Sequence, residues 1–540
     1  MKNFRTAAYA FFRQHAALIV LLFFGFMMRS YLAPWRSYWY DEFLSVYHYG
    51  ANYETVWGAI QALAKGSIHP PLYQFILYFW MEMFGVSELA TRTLSNLYVV
   101  GGTLCLYLLA YRVYGRRVAL GSAIIFTLMY FPMRYGMETR SYAQILFLSC
   151  LSSWLFFLFV TKLPRPCHWR ELILNRGLLW LTLANTALLM THYYSVFFLG
   201  AQALFILILF LTRHPRLGIA IETAKVAVIC ATPVVLLLLA WGWAMAHRYA
   251  QFESRGNYHR DFPSMDPWTI FSYYVIGPTF SGGELGTLAP SGVAMVLILL
   301  SSQAVWTIYR SRRRGAEDRA YFTLYFLTWT FVPCIMAFLL FLVAGVEKYN
   351  ERYFIFCAPP LAVLTLLAFE DLVRFARSLF HCFTVIQPAR NYARYALLYA
   401  IVVALLVAAP GGRQAASTVK DHYRGVAEMM ANLVRGDPEH SYILYEASRR
   451  KNLDFYLEPM TRGQLRIADT ITPRDEERAR LKFEKNADKI EGHDFLVVGF
   501  PHRRFRNYPR STARLEDLYN VQFKMLGAGG HGIVVYKTKK

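Results

Sequence analysis

The chain has 540 residues, of which 56% are hydrophobic and 17% aromatic, and it carries a formal net charge of +22. This composition is too apolar for a soluble protein of this length and indicates a polytopic membrane protein. The positive charge does not indicate a nucleic-acid partner, because cytoplasmic loops of membrane proteins collect Lys and Arg, and no zinc-finger spacing or RNA-binding signature accompanies it. The seven cysteines form no CxxC pair, which favours small buried residues over a disulfide framework or a zinc site.

The first apolar run, AALIVLLFFGFMM, is followed by no small-residue cleavage site, so we expect a retained first span near residues 16–33. Lys2, Arg5 and Arg13 precede this run. By the positive-inside rule they place the N-terminus in the cytoplasm. The loop that follows, residues 34–92, is therefore predicted to lie on the outer face of the membrane.

Two adjacent acids, Asp41 and Glu42, stand in this outer loop just after the first span. They are either solvated charges or site residues, and membrane boundaries normally favour aromatic and basic side chains instead. His69 precedes Pro70 and Pro71 in the same loop. The motif is either a simple turn or a device that holds His69 in one direction, because the two prolines restrict the backbone.

The apolar stretch from Leu72 to Gly85 is shorter than the roughly 20 residues that cross a bilayer. We interpret it as an interfacial or half-buried helix, since this leaves the later basic clusters in the cytoplasm. Together with the first span, the resulting membrane topology has eleven spans. The segment 268–288 is broken by Pro and Gly and is predicted to be re-entrant or interfacial. If it instead crossed the membrane twice, the total would be thirteen spans. The further spans are predicted near 93–111, 118–134, 141–161, 177–192, 194–212, 225–246, 290–309, 320–343, 354–370 and 395–410.

From about residue 411 charged residues become frequent, and β-like runs such as SYILYEA, DFLVVGF and GIVVYKT alternate with helix-like ones. This pattern predicts a small α/β domain over residues 411–540, which follows a transmembrane catalytic domain over residues 1–410. The alternation of spans places the α/β domain on the outer side of the membrane. The GAGGHG run from Gly527 to Gly532 matches G-x-G-x-x-G, but a β-like run follows it. A hairpin turn is favoured over a nucleotide site.

Three further polar motifs lie on the same outer face in this predicted topology. They are METRSY, with Glu138, Arg140 and Tyr142; THYYS, with His192, Tyr193 and Tyr194; and EKYNERYF, with Lys348, Glu351, Arg352 and Tyr353. Snorkelling charges, a structural ion pair and an interfacial aromatic belt are the alternative interpretations. A carboxylate with Arg, Lys and His nearby suits transfer of a sugar from a lipid-linked phosphate. The carboxylate removes a proton from the acceptor hydroxyl, and the cations stabilise the departing phosphate.

In this order the motifs resemble the GT-C class of membrane glycosyltransferases. They are most similar to its protein O-mannosyltransferase-like and lipid A aminoarabinose or galacturonic acid transferase-like branch. The HPP element resembles that of protein O-mannosyltransferases, whereas aminoarabinose transferases tend to have a Lys there, so the donor sugar stays open. The resemblance implies a multi-pass enzyme of the bacterial inner membrane whose site and C-terminal domain face the periplasm. Its donor would be a polyprenyl-phosphate-linked sugar, and its acceptor an envelope glycolipid such as lipopolysaccharide, a glycan or a protein.

The resemblance also implies roles for individual residues. Asp41 would be the base, with Glu42 ordering the sugar or acceptor. No metal is expected, because the Asp-x-Asp pattern of oligosaccharyltransferase-like members is absent, and a single base with no obvious covalent nucleophile favours inversion. The donor phosphate and sugar would be bound within the set His69, Glu138, Arg140, Tyr142, His192, Tyr193, Lys348, Arg352 and Tyr353.

Two other functions fit an apolar chain with an outer polar site. A flippase or transporter of lipid-linked sugars would more often show repeated halves and charges at mid-membrane depth. The sequence shows no internal repeat, and its polar motifs gather at one face. A scaffold whose soluble domain binds a partner would leave Asp41, Glu42 and His69 without a purpose.

Overall fold

A computed structural model of the chain describes residues 2–67, 69–162, 175–213, 231–247, 317–344 and 351–381. It also describes isolated positions in 302–315 and 424–460 and five strands after residue 440. The described residues fall into two compact units, Met1–Ala33 with Tyr49–Ser417 and Pro34–His48 with Thr418–Lys540. The predicted spans at 290–309 and 395–410 and the segment 268–288 lie largely or wholly outside the described residues.

The first unit is helical. Its helices are α1 (Lys2–Leu32), α3 (Val56–Gly66), α4 (Leu72–Phe84), α5 (Glu88–Tyr114), α6 (Arg116–Leu128), α7 (Tyr130–Tyr135), α8 (Tyr142–Lys162), α9 (Arg176–Leu189), α10 (Ser195–Arg213), α11 (Ala231–His247), α12 (Glu317–Ala344) and α13 (Ala358–His381), with a 3₁₀ helix at Glu351–Cys357; the short α2 (Tyr40–Phe43) belongs to the second unit.

Five described helices are long and apolar enough to cross a membrane. They match five of the predicted spans, which supports a multi-pass membrane protein; the total of eleven spans stays a prediction. The five stretches are His15–Leu32, Glu88–Tyr114, Tyr142–Thr161, Asp318–Leu340 and Arg352–Glu370.

The predicted span at 118–134 is interrupted. Helix α6 ends at Leu128, Met129 is extended with ψ of 152°, and the short α7 follows. Pro132 explains the break, because proline has no N–H to donate to the carbonyl of residue 128 and its ring clashes with that carbonyl. Helix α4 has 13 residues, about 20 Å at 1.5 Å per residue, which is too short for a span and agrees with the prediction of a short helix there.

The helix ends follow ordinary capping chemistry. The Ser87 hydroxyl accepts a hydrogen bond from the Ala90 N–H (3.2 Å) at the start of α5, and this satisfies an amide that the helix leaves unpaired. Gly85 and Gly115, with φ of 83° and 87°, end α4 and α5. Only glycine adopts this backbone conformation without steric cost, so both turns depend on it.

Helices α5 and α8 pack closely at the centre of the first unit. A Cβ on Gly101 would lie 2.8 Å from the Phe147 ring, so the helices approach only because this position is glycine. A fully buried polar network joins α8, α9, α10 and α12 nearby through Ser152, Ser153, Asn185, Gln202 and Tyr325. Hydrogen bonds between membrane helices typically contribute about 0.6 kcal/mol each.

The second unit contains a five-stranded mixed sheet in the order β2-β1-β3-β5-β4. The strands β1 and β3 coincide with the runs SYILYEA and DFLVVGF, and β5 with GIVVYKT. Strands β4 and β5 are antiparallel; β4 ends just before the GAGGHG run and β5 begins at His531 within it, which agrees with a hairpin. The strands are β1 (Ser441–Glu446), β2 (Asp469–Ile471), β3 (Phe495–Pro501), β4 (Tyr519–Leu526) and β5 (His531–Thr538).

Candidate functional site

Two histidines that are distant in sequence meet in the first unit. His69 lies three residues before α4 begins at Leu72, and His192 lies in the turn between α9 and α10. The Leu72 N–H donates to the Met190 carbonyl oxygen (3.1 Å) and so joins the two segments. The imidazole ring centroids of His69 and His192 are 5.3 Å apart. The His-Pro-Pro motif thus places His69 beside His192 of the THYYS motif.

Arg140 belongs to the same cluster. It lies in the turn between α7 and α8, where the Ser95 hydroxyl of α5 donates to the Glu138 carbonyl oxygen (2.7 Å). The Arg140 N–H donates to that same oxygen (2.9 Å), which fixes the turn. The Arg140 Nη2 lies 3.3 Å from His69 Nε2. The structure therefore brings the HPP and METRSY motifs together.

Aromatic rings from the 3₁₀ helix at Glu351–Cys357 complete the cluster. The Tyr353 ring lies 5.2 Å from His192 and 4.7 Å from Tyr194, and Tyr142 lies 6.3 Å from His192. Arg352 is next to Tyr353 and influences both histidines electrostatically. We call the set His69, Arg140, Tyr142, His192, Tyr194, Arg352 and Tyr353 the histidine–arginine cluster.

The two imidazoles have complementary hydrogen-bonding roles. His192 Nδ1 accepts from the Tyr194 backbone N–H (3.3 Å), which leaves the proton of the neutral ring on Nε2. That Nε2 is buried and has no hydrogen-bond partner in the described part of the chain. His69 Nε2 faces Arg140, which only donates, so its proton lies on Nδ1. His192 therefore offers an N–H donor to a ligand.

Both histidines are held neutral. Burial, followed by the charges of Arg140 and Arg352, lowers the pKa of His192 to about 3. Burial, followed by Arg140, His192 and Arg352, lowers the pKa of His69 well below its usual range. The cluster thus carries two guanidinium charges beside two uncharged rings, an arrangement that attracts an anion.

This electrostatic arrangement predicts a pH-dependent stability. Between about pH 6.5 and 3 the unfolded chain protonates His192 while the folded protein does not, so the free energy of unfolding falls as pH falls through this window. The slope for one group is at most about 1.4 kcal/mol per pH unit. Thermal melting of the wild type and of His192→Gln from pH 7.5 to 5 should show a shallower decline for the variant. Equal slopes would show that His192 is not held neutral.

Glu138 has a partner that the sequence interpretation missed. Its carboxylate lies 3.2 Å from the Arg134 Nε, and Arg134 also hydrogen-bonds the Tyr130 hydroxyl. The i,i+4 spacing of Arg134 and Glu138 was a signal that could have found this pair. Tyr194 packs on both His192 and Tyr353. It was named in the THYYS motif, but only its neighbour Tyr193 was assigned to the donor site. Tyr193 instead hydrogen-bonds Trp241; burial raises the pKa of Tyr193 to about 12, and this bond opposes the rise.

The predicted acids lie in the second unit. Asp41 is half-buried in the short helix Tyr40–Phe43, and Glu42 is buried with Oε2 accepting from the Trp39 N–H (3.3 Å). Glu42 therefore stabilises the start of this helix. The Tyr38 N–H donates to the Tyr456 hydroxyl (2.7 Å), and Arg424 donates to the Pro34 carbonyl oxygen (2.8 Å). Residues after 417 thus hold the segment that carries the acids.

Lys348, predicted to bind the donor, lies outside the described residues. In the described part of the chain, no group of three or more His, Cys, Asp or Glu side chains is placed to hold a metal ion. Metal independence stays a prediction.

The fold is that of the GT-C membrane glycosyltransferases. It is similar to ArnT from Cupriavidus metallidurans in the apo state, with a TM-score of 0.50, 13% identity and coverage of 98% of both chains. ArnT bound to undecaprenyl phosphate gives a TM-score of 0.50, 13% identity and coverage of 96% of this chain and 98% of that chain. The archaeal oligosaccharyltransferase AglB from Archaeoglobus fulgidus gives a TM-score of 0.47, 12% identity, and coverage of 98% and 75%.

A family model agrees with this class. Residues 68–243 match the family described as Dolichyl-phosphate-mannose-protein mannosyltransferase. The predicted resemblance to GT-C enzymes is confirmed. The matched range contains His69, Arg140 and His192 but not Asp41 or Glu42. No curated protein sequence matches the chain.

Proposed function

We propose that this protein is a membrane glycosyltransferase that moves a sugar from a polyprenyl-phosphate donor to a hydroxyl group of an envelope glycolipid, glycan or protein. The observation that carries the proposal is the histidine–arginine cluster, where the charges of Arg140 and Arg352 act on two neutral imidazoles. A protein of the same fold has been solved with undecaprenyl phosphate bound, which supports a lipid-linked phosphate as the ligand of this chain.

The donor phosphate is assigned to this cluster. Arg140 and Arg352 supply positive charge, and guanidinium groups bind phosphate oxygens in a bidentate manner. His192 Nε2 adds a neutral N–H donor, since Nδ1 is engaged by the Tyr194 N–H. Tyr142 and Tyr353 contribute ring contacts around His192. As the sugar departs, negative charge grows on the phosphate and the two arginines stabilise it.

Asp41 is assigned the proton transfer. Its carboxylate removes the proton of the acceptor hydroxyl, whose oxygen forms a bond to the anomeric carbon while the bond from that carbon to the phosphate oxygen breaks. The direct displacement inverts the anomeric configuration, because no enzyme-bound sugar forms. Glu42 is buried and bonded to the Trp39 N–H, so we assign it a positioning role beside Asp41.

The outer face of a bacterial inner membrane is the proposed location of the reaction. The placement of Lys2, Arg5 and Arg13 before the first span supports a cytoplasmic N-terminus, and the acids then follow on the other side. A reporter enzyme fused after residue 45 should be active only in the periplasm. Activity of the fusion in the cytosol would overturn this orientation.

A comparison of membrane lipids and envelope glycans tests the proposed function. Cells with the protein should contain a glycolipid, glycan or glycoprotein that is larger by one sugar unit than in cells without it, as seen by mass spectrometry. Cells that carry Asp41→Asn should resemble the deletion. Identical glycan profiles with and without the protein, together with accumulation of a lipid-linked sugar on the inner leaflet in its absence, would indicate a flippase instead.

Tyr456 is expected to affect the chemical step from within the second unit. Tyr456→Phe removes the acceptor of the Tyr38 N–H, and an unsatisfied buried amide costs about 1–3 kcal/mol. The segment with Asp41 would become less well fixed, so kcat should fall about tenfold while the donor KM stays unchanged. Tyr31→Phe, at an exposed tyrosine in α1, is the matched control. A raised donor KM with normal kcat would show that Tyr456 does not act through the Asp41 segment.

A further inference from the structure

A buried ion pair closes the turn that carries Arg140. The Arg134 Nε donates to the Glu138 Oε1 (3.2 Å), and the two side chains are only 12% and 6% exposed. The Met137 N–H donates to the Arg134 carbonyl oxygen (3.1 Å), so the main chain and the side chains close the same turn. The Arg140 N–H in turn donates to the Glu138 carbonyl oxygen (2.9 Å). The position of Arg140 therefore depends on where Glu138 is held.

Two tyrosines of α7 hold Arg134 from the other side. Arg134 hydrogen-bonds the Tyr130 hydroxyl, and its guanidinium carbon lies 5.5 Å and 6.0 Å from the ring centroids of Tyr130 and Tyr135. Aromatic ring faces attract a guanidinium at such distances. The Tyr135 ring also lies 4.8 Å from the ring of Tyr142, which belongs to the histidine–arginine cluster. A continuous set of contacts thus joins the ion pair to the proposed phosphate site.

The charge of Glu138 would be unfavourable near a phosphate if it were not compensated. A carboxylate two residues from Arg140 repels an anionic ligand, and the charge of Arg134 cancels this repulsion. A sugar hydroxyl that took over the carboxylate would leave Arg134 buried and unpaired, which is strongly destabilising. The pairing therefore favours a supporting role for Glu138 over direct contact with the donor.

We propose that Arg134 and Glu138 are positioning residues for the phosphate site. Their ion pair holds the turn that presents Arg140, and Arg134 cancels the charge of Glu138 beside the bound phosphate. This inference rests on the proposed function, in which Arg140 binds the donor phosphate. It differs from the donor-binding role that the resemblance to GT-C enzymes implies for Glu138.

Charge-neutral substitutions test the proposal through the Kd of undecaprenyl phosphate for the purified full-length protein in detergent. Arg134→Gln loosens the turn and leaves the Glu138 charge uncompensated, so it should raise the Kd about tenfold or more. Adding Glu138→Gln removes that charge and restores a neutral hydrogen bond, so the double variant should bind more tightly than Arg134→Gln alone. Arg134→Lys, which keeps the charge, should bind nearly as the wild type does.

Two results of this binding measurement would overturn the proposal. A normal Kd in the folded Arg134→Gln variant would show that the pair has no effect on the phosphate site. A double variant that binds more weakly than Arg134→Gln alone would show that Glu138 itself contacts the ligand. The matched control is Thr127→Val, because the Thr127 hydroxyl is buried and donates to the Ala123 carbonyl oxygen within its own helix (2.8 Å). Its Kd should be unchanged.

The pair is expected to act through Arg140. Adding the neutral double substitution to Arg140→Ala should therefore leave the Kd at the value of Arg140→Ala alone, because residues that act as one unit are not additive. Multiplied effects would show an independent action and overturn the proposal. If Arg134→Gln does not fold, Tyr130→Phe replaces it, since it removes only the hydroxyl bonded to Arg134, and it should raise the Kd in the same direction.

Hydrogen exchange separates the positioning role from the phosphate site. The amides of residues 136–142 should exchange faster in Arg134→Gln than in the wild type, and at the normal rate in Thr127→Val. Unchanged exchange in Arg134→Gln would overturn the positioning role. A normal Kd in Arg140→Ala would instead contradict the phosphate site of the proposed function, and the exchange rates would then decide by themselves whether the pair holds the turn.

Discussion

Asp41→Asn should lower sugar transfer by about 10²–10⁴-fold, the contribution typical of a positioned general base. The amide keeps the shape of the side chain but cannot accept the proton of the acceptor hydroxyl. Asp41 is only half-buried, so the substitution should leave folding intact. The measurement is kcat with purified protein, a polyprenyl-phosphate sugar and the acceptor identified from the glycan comparison.

Two variants make this result specific. Glu82→Gln removes one acid from the exposed face of α4 and should leave kcat unchanged. Glu42→Gln retains an oxygen that accepts from the Trp39 N–H, so it should lower kcat less than Asp41→Asn does. A fully active, correctly folded Asp41→Asn enzyme would remove Asp41 from the role of base.

Arg140→Ala and Arg352→Ala should each raise the donor KM. Hydrogen bonds to charged groups contribute about 1.5–3 kcal/mol, which corresponds to roughly 10–150-fold in kcat/KM. Lysine at either position keeps the charge but not the planar fork of guanidinium, so it should restore only part of the loss. Initial rates at varied donor concentration provide the measurement.

The matched control for charge is Arg313→Ala. Arg313 is exposed and lies over the Tyr309 ring, 4.8 Å from its centroid, and its loss should leave the donor KM unchanged. Unchanged donor kinetics in both Arg140→Ala and Arg352→Ala would exclude them from the phosphate site.

The apolar helices were predictable because their length and composition follow from the thickness of the bilayer. The helix at Leu72–Phe84 was recognised as too short to span for the same reason. The interruption at Met129 was missed, although Pro132 signals it, because the flanking runs are apolar enough to read as one span. Backbone hydrogen bonding overrides hydropathy at that position.

The sequence predicted only that His69 and His192 lie on the same face of the membrane, and it did not predict that their side chains are close. The contact depends on the hydrogen bond from the Leu72 N–H to the Met190 carbonyl oxygen, which no sequence pattern reveals. The tautomer of His192 likewise depends on a backbone N–H, that of Tyr194. The order of the motifs indicated the chemistry, whereas the tertiary fold determines which nitrogen carries the proton.

The grouping of Pro34–His48 with the C-terminal unit was not predictable. This segment was predicted to belong to the transmembrane domain, since only apolar length and charge defined the boundary. The bonds from Arg424 to the Pro34 carbonyl oxygen and from the Tyr38 N–H to Tyr456 join residues that are distant in sequence. Long-range hydrogen bonds of this kind leave no periodic signal in a single chain.

Native mass spectrometry of the protein purified from bacterial membranes tests the central claim most directly. The wild type should carry a bound polyprenyl phosphate, seen as a defined mass increment, because two guanidinium groups and the His192 N–H hold its phosphate. The folded double variant Arg140→Ala with Arg352→Ala should lose this increment. Retention of the increment by the double variant, or its absence from the wild type even after polyprenyl phosphate is added, would contradict the assignment of the histidine–arginine cluster.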